Sequence, residues 1–459
     1  MTTTHNPPWA EATSGFLPTV PDPDVEPGDG IFATMQAAVD AALLAHREYI
    51  NSSMADRQRF VTAIRHAMLK PTTLNYMATQ AVAETGMGNV HHKYLKNRFA
   101  AELTPGTEDL VTECWSGDEG LTTVEYSPYG VIGAITPTTN PTETIICNSI
   151  CMLAAGNTVV FSPHPRAARL SIWQVRQLNR ALRRVGAPEN LITTVAEPSI
   201  EACRALIANP EVSMLVATGG PAIVRTVMAS GKKAIAAGAG NPPVVVDAAA
   251  DLEHAASCIV DGASFDNNLP CIAEKECIAV DSIADDLKRY MVSNGAYELD
   301  PAQRALLERL VCTPTGPNPE WIGKSAAELL RAISVRPPAG VRLLICETDA
   351  AHPFVQLELM MPVLPIVRAD DVDAAIALAV ELEHGHRHTA VMHSRDVAAL
   401  ERMGRAIQTT IFVKNGPSYA GIGIGGEGFS TFTIAGPTGE GLTSARHFAR
   451  RRRSALVRG

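Results

Sequence analysis

The residues best suited to covalent chemistry lie in Asn267-Asn268-Leu269-Pro270-Cys271-Ile272-Ala273-Glu274-Lys275-Glu276. Small and polar residues precede Cys271, and no second cysteine stands at metal-ligand spacing. Cys277 is too far along for a redox pair and lies in an apolar run, Cys277-Ile278-Ala279-Val280, that predicts a buried strand. A thiolate is the nucleophilic form of cysteine, and a loop offering backbone N–H groups lowers the thiol pKa and can receive a developing oxyanion. The pattern predicts nucleophilic catalysis by Cys271. The competing expectation is one buried small hydrophobe among nine cysteines.

A second cluster, His384, His386 and His388, places three imidazoles in five residues. Alternation along a strand would aim all three at one face. No acidic or cysteine partner accompanies them, so no metal site is expected.

These groups need a frame to position them. The chain has 459 residues, enough for two or three domains with full cores. Aromatic residues make up 5%, and the abundance of Ala, Val, Ile and Gly suits layered α/β packing. A net charge of −9 gives no general pull toward nucleic acid. Arg450-Arg451-Arg452-Arg453 runs against that balance and is read as a solvated or intersubunit strand. Nine scattered cysteines argue against a disulfide framework and for a reducing compartment. With no signal-peptide pattern and no apolar run of about 18 residues, a soluble cytoplasmic protein with no membrane contact is expected.

Residues 1–30 carry Pro7, Pro8, Pro18, Pro21, Pro23 and Pro27 beside Asp22, Asp24, Glu26 and Asp29, which predicts an extended arm or flexible leader. From residue 31 to about 70 the pattern is helical, with Phe32, Met35, Ala38 and Val39 in one run and Phe60, Ile64 and Met68 in another. Residues 72–84 continue as a helix that closes near Gly86-Met87-Gly88. Strands are expected over 121–126, 131–135, 157–161 and 214–218. An apolar run over 144–155 and helices over 171–185 and 222–229 fall between and after them. That alternation implies parallel βαβ units with ligands at the carboxyl ends of the strands. No GxGxxG fingerprint opens any helix; Gly238-Ala239-Gly240 imitates its start, but Asn241-Pro242-Pro243 follows. The turn Thr218-Gly219-Gly220 lies between strand and helix, where bare N–H groups and the helix dipole could hold a phosphate.

Taken together, these segments resemble the aldehyde dehydrogenases, and among them the CoA-acylating propionaldehyde and acetaldehyde dehydrogenases of bacterial microcompartments. The resemblance runs from about Gly30 onward. It is carried by Glu84-Thr85-Gly86-Met87-Gly88, by residues 132–141 ending in Asn140-Pro141, and by Val216-Ala217-Thr218-Gly219-Gly220-Pro221. The Cys271 loop, Glu358-Leu359-Met360-Met361-Pro362-Val363 and Gly425-Gly426-Glu427-Gly428-Phe429-Ser430 complete it. The implied fold is α/β. A Rossmann-like nucleotide-binding domain spans residues 31–106 and 127–236, and a catalytic domain spans 237–412. The chain returns to the nucleotide-binding domain over 413–429, and residues 107–126 with 430–459 form an oligomerisation segment. By the same resemblance Cys271 adds to the aldehyde, and Asn140 is the side-chain donor of the oxyanion hole. His388 takes the proton of the CoA thiol. Thr136, Pro137, Ser162, His164, Thr218, Gly219, Gly220, Gly238 and Glu358 line the cofactor site, with Glu358 on the nicotinamide ribose.

Two departures from the hydrolytic members bear on the reaction. Where those carry a Glu-Leu-Gly-Gly general base, this chain has Ala237-Gly238-Ala239-Gly240, with Ala237 placed 34 residues before Cys271 as in the family. Loss of general-base assistance, worth about 10²–10⁴-fold, spares an acyl-cysteine thioester for coenzyme A. Where they carry Lys-Pro-Ser-Glu on the adenosine ribose, this chain has Ser162-Pro163-His164-Pro165 with Arg166 behind it. NAD is the expected cofactor, with NADP left open because no carboxylate repels a 2′-phosphate. The expected activity is oxidation of a short aliphatic aldehyde to acyl-CoA and NADH. Homodimers or homotetramers are implied, as is a location inside a bacterial microcompartment with shell or core proteins as partners. A hydrolytic dehydrogenase using another base, and a non-catalytic binding member, remain the alternatives.

Overall fold

The computed structural model describes residues 28–458. Two all-parallel sheets dominate it. The first has six strands in the order Ile31–Phe32, Ile192–Val195, Thr158–Pro163, Val131–Thr136, Val212–Thr218, Lys233–Ala237. The second has seven, in the order Ala296–Glu298, Leu343–Glu347, Val363–Ala369, Glu276–Val280, Pro243–Val246, Thr389–His393, Ile411–Lys414. Strands such as Val131–Thr136 and Glu276–Val280 are buried along their whole length, which explains their continuous apolar runs.

In the first sheet the chain moves outward from Val131–Thr136 through Thr158–Pro163 to Ile192–Val195. It then crosses to the other flank at Val212–Thr218. That reversal opens a crevice outside the carboxyl ends of the central strands. Thr136, Ser162 and Thr218 lie there, each at or next to the last residue of its strand.

Helix boundaries follow local chemistry. Ser53 and Asp56 form a capping box on Met54–Met68, Pro71 opens Pro71–Thr85, and Gly86 closes it at φ 70°. The helical reading from residue 31 needs a correction. Ile31–Phe32 is an edge strand paired with Thr194 and Val195, and the helix starts at Met35 under a Thr34 cap. Phe32 and Met35 share an apolar cluster, so three-residue spacing alone could not separate strand from helix. Of the proline-rich arm, residues 1–27 lie outside the described residues.

A third sheet stands apart. Glu113–Gly117, Gly120–Pro128 and the C-terminal strand Ala449–Val457 pair antiparallel, and the C-terminal strand is exposed from Arg450 to its end. Among the described residues, no helix is long and apolar enough to cross a membrane.

Candidate active site

Helix Leu252–Ser264 runs into a tight turn, Phe265–Asn268, and three residues later the chain reaches Cys271. Asp266, Asn267 and Asn268 all adopt left-handed backbone, at φ 49°, 56° and 62°. Such conformations persist only where surrounding bonds over-determine them. Asn268 Nδ2 donates to Ala263 O at 2.8 Å and Glu274 O at 2.9 Å. Lys275 Nζ donates to Asn268 O at 3.0 Å and Oδ1 at 2.6 Å, and Asn267 Nδ2 donates to Gly323 O at 2.8 Å. Cys271 emerges from this turn half-buried. Gly240 backs onto it, and a Cβ there would lie 2.9 Å from the Cys271 carbonyl oxygen and 3.0 Å from His388 Cγ. Only glycine fits that contact.

Burial pushes the Cys271 thiol up to about 12, and the Glu358 carboxylate adds to the rise. Lys275, the Cys271 N–H and Lys96 pull the other way without prevailing. The sequence-based expectation of a low-pKa thiolate is thus corrected: the N–H helps, but desolvation outweighs it. Glu274 and Lys275 form the buried wall behind the loop. Ser418 N–H and Oγ–H donate to Glu274 Oε1 and Oε2 at 2.9 and 2.8 Å, tying the loop to the C-terminal segment. Burial still raises Glu274 to about 7, and it pushes the Lys275 ammonium down.

Asn140 comes from the other sheet, as the residue before helix Pro141–Ala154, and is buried. Its Oδ1 accepts from Lys96 Nζ at 2.6 Å, and its Nδ2 lies 3.3 Å from Thr139 Oγ1. Lys96 Nζ also lies 2.5 Å from Asp266 Oδ2 and 3.3 Å from Glu143 Oε1. Lys93, one helical turn earlier, reaches Asp266 Oδ2 at 3.1 Å and Thr139 O at 3.0 Å. Burial opposes charge on Lys96, but Asp266 and Glu143 hold its pKa above the usual lysine value. Lys93, equally buried, is pushed below it. For Asp266, burial is outweighed by the two ammoniums, so its carboxyl stays ionised.

Glu358 follows the short helix Pro353–Gln356 and is half-buried. Gly240 N–H points at its Oε1 from 3.4 Å. Burial raises its pKa against the pull of Lys275. Asn241 Nδ2 pins both neighbouring segments, donating to Val355 O at 3.0 Å and Leu382 O at 2.8 Å. Residues 383–385 form a turn and 386–388 are irregular, with His384 and Arg387 at positive φ, so the alternation expected of the three histidines does not occur. Only His388 is buried; His384 is exposed and His386 half-buried. His388 N–H donates to Glu383 Oε1 at 2.8 Å, and its Nδ1 lies 2.9 Å from Thr389 Oγ1. Burial drives its pKa down to about 3, with His386 and Lys275 adding to the fall, and its Nε2 has no hydrogen-bond partner among the described residues.

On the nucleotide side, Thr136 Oγ1 is a buried hydroxyl without a partner at the end of the central strand, as a ligand-facing group would be. Pro137, directly after Thr136, and Gly238, after the edge strand Lys233–Ala237, are half-buried; Ser162 is buried, and His164 is exposed, accepting from Arg166 N–H at 3.1 Å. The expected phosphate turn needs a correction: Gly219 N–H is not bare but donates to Ala237 O at 3.1 Å. Thr218 Oγ1 lies 3.1 Å from Thr433 Oγ1. Ala237 itself is buried at the end of its strand, with no carboxylate in its place.

The cluster of Lys93, Lys96 and Asp266, with Glu274 and Asn241, went unread in the sequence. Lys93 and Lys96 share a helix face by spacing, but nothing local marks a lysine as buried.

The aldehyde dehydrogenase family model matches residues 29–297. Propanal dehydrogenase (CoA-propanoylating) of Salmonella typhimurium is 50% identical over 446 residues, covering 96% of each chain. The crystal structure of Rhodopseudomonas palustris propionaldehyde dehydrogenase with bound propionyl-CoA matches with a TM-score of 0.93 at 62% identity, over 94% of this chain and 96% of that one. A propionaldehyde dehydrogenase from the Clostridium phytofermentans fucose utilisation bacterial microcompartment matches with a TM-score of 0.92 at 50% identity, over 94% of this chain and 99% of that one.

Proposed function

The chain belongs to the aldehyde dehydrogenase family, and we propose that it oxidises a short aliphatic aldehyde, propionaldehyde foremost, to the acyl-CoA through a thioester on Cys271. The observation that carries this reading is the convergence of Cys271 and Asn140 on one charged cluster, with alanine at position 237. Cys271 Sγ bonds to the aldehyde carbon as its proton passes to bulk solvent, and Lys275 and Lys96 offset the negative charge that develops. Asn140 Nδ2 and the Cys271 N–H serve as donors to the thiohemiacetal oxygen. The nicotinamide cofactor supplies the hydride acceptor. Thr136, with its unpartnered hydroxyl, and the half-buried Glu358 carboxylate fit such a cofactor, and Ser162, His164, Thr218, Gly219, Gly220 and Gly238 would line its path.

Loss of hydride from the carbon leaves acyl-Cys271. Ala237 offers no base to a water molecule, so the thioester persists until the acyl group passes to the CoA sulfur and Cys271 regains its proton. The free Nε2 of His388 is the acceptor for the CoA thiol proton, a role that the burial lowering its pKa to about 3 opposes. The first sheet is the nucleotide-binding unit and the second the catalytic one. The exposed three-stranded sheet serves oligomerisation into dimers or tetramers. The microcompartment origin of the C. phytofermentans relative supports a cytoplasmic protein packaged in such a compartment, with shell or core proteins as neighbours.

The test is NADH formation from propionaldehyde with and without CoA, in the wild type and in Cys271→Ala. The wild type is expected to turn over only with CoA. Cys271→Ala should give no acyl-CoA while still binding NAD. Sustained CoA-independent turnover to the free acid would favour a hydrolytic enzyme, and near-normal turnover of the variant would remove the thiol from the mechanism.

A further inference from the structure

We propose that Lys96 is the positioning residue of the oxyanion hole, holding the Asn140 amide in the one orientation that presents an N–H to the reacting carbonyl. The proposal rests on Asn140 being the oxyanion donor. An ammonium has donors and no acceptor, so at 2.6 Å it must face Asn140 Oδ1; the flipped amide would set donor against donor. One Nδ2 proton is directed at Thr139 Oγ1, 3.3 Å away, and the other is left for the substrate oxygen.

The same helix, Val90–Leu103, serves both sides of the site. Lys93 donates to the carbonyl of Thr139 and Lys96 to the side chain of Asn140, while both ammoniums hold Asp266 Oδ2 in the turn that leads to Cys271. One buried cluster therefore sets the oxyanion donor and the nucleophile's loop in register, although they come from different sheets. A charge at this place is costly, because each buried ion carries several kcal/mol of desolvation that a neutral side chain would avoid. What the charge adds is polarisation: Lys96 draws electron density through the Asn140 carbonyl and makes its N–H a stronger donor in a low-dielectric site.

The experiment is a double-mutant cycle on propionaldehyde oxidation with NAD and CoA, comparing wild type, Lys96→Met, Asn140→Ala and the double variant. The KM for NAD and the thermal midpoint are measured alongside. Asn140→Ala is expected to lower kcat by about 10²–10³-fold, the cost of an oxyanion-hole donor. Lys96→Met should lower kcat by about 10²-fold with KM for NAD changed by no more than about two-fold, since only transition-state binding is lost. If Lys96 acts through Asn140, the double variant is no worse than Asn140→Ala within about three-fold. Losses that multiply would overturn the proposal, as would a loss below about three-fold in Lys96→Met. Should Lys96→Met fail to fold, Lys96→Gln, which keeps a neutral donor, enters the same cycle with a loss of roughly ten-fold and the same coupling. Asn140→Ala turning over at the wild-type rate would instead refute the oxyanion assignment, a different outcome from uncoupled losses.

Discussion

Two charged regions of this molecule stand in contrast. Around Cys271, Lys93, Lys96, Asp266 and Glu143 are wholly buried and joined by contacts of 2.5–3.3 Å. On the three-stranded sheet, Arg451 and Arg452 pair with Glu113 and Glu125 at 2.6 and 2.7 Å, yet their side chains are 58% and 62% exposed. The distances are alike; the surroundings are not. Water screens the surface pairs, whereas the buried set is satisfied by its own members and by Asn89, Thr139 and Asn140. Distance alone therefore says little about what an ion pair contributes, and the buried cluster is where a single change should propagate to chemistry.

Removing the shared acid is the largest test of that contrast. Asp266→Asn leaves Lys93 and Lys96 with Glu143 as the remaining carboxylate, and should destabilise the fold by about 3–5 kcal/mol. Urea unfolding with an unchanged slope reads this directly, and a shift below about 1 kcal/mol would erase the distinction between the two regions.

Next in size is a pH effect from Glu274. Its folded pKa of about 7 lies above the usual glutamate value of 4.5, so between these values the folded state binds more protons than the unfolded one. The contribution is fully present below about pH 4.5 and is lost as pH rises through about 7, a fall of roughly 3 kcal/mol that then levels off. Glu274→Gln keeps the Ser418 contacts without the titration. The difference between the two stability–pH curves should therefore carry this slope; parallel curves would mean Glu274 does not titrate there.

A smaller effect is expected from adding a charge to the cleft. Ala237→Glu should give a several-fold, roughly 1 kcal/mol, gain in CoA-independent NADH formation, limited because nothing evolved to orient the new carboxylate. A folded variant with unchanged CoA-dependent activity and no such gain would unseat Ala237 from the general-base position. Smallest of all, Arg452→Gln should change stability by less than about 1 kcal/mol, and less still in high salt. A larger loss would mean that this strand is covered in the assembled protein.

Much of this protein can be read without a fold. Continuous apolar runs such as Val131-Ile132-Gly133-Ala134-Ile135 predict buried parallel strands, because such strands are apolar on both faces. Cys271, Asn140, Glu358 and Ala237 are legible as motif positions, since residue type and spacing carry the resemblance that identifies them. The strand Ile31–Phe32 is not legible in the sequence, because two residues have no period of their own. The free amide expected at Gly219 was taken by Ala237, a partner on the neighbouring strand.

Burial is what only the tertiary structure decided. Cys271 looks like an activated thiol from its loop, but burial raises its pKa, and burial lowers that of His388. Nothing in the sequence marks Lys96; packing removes water from it and brings Asn140 and Asp266 to its ammonium. Sequence determines which groups are present and their local geometry. The dielectric around a group, and the distant groups that meet it there, arise only when segments 44 and 170 residues from Lys96 close around it.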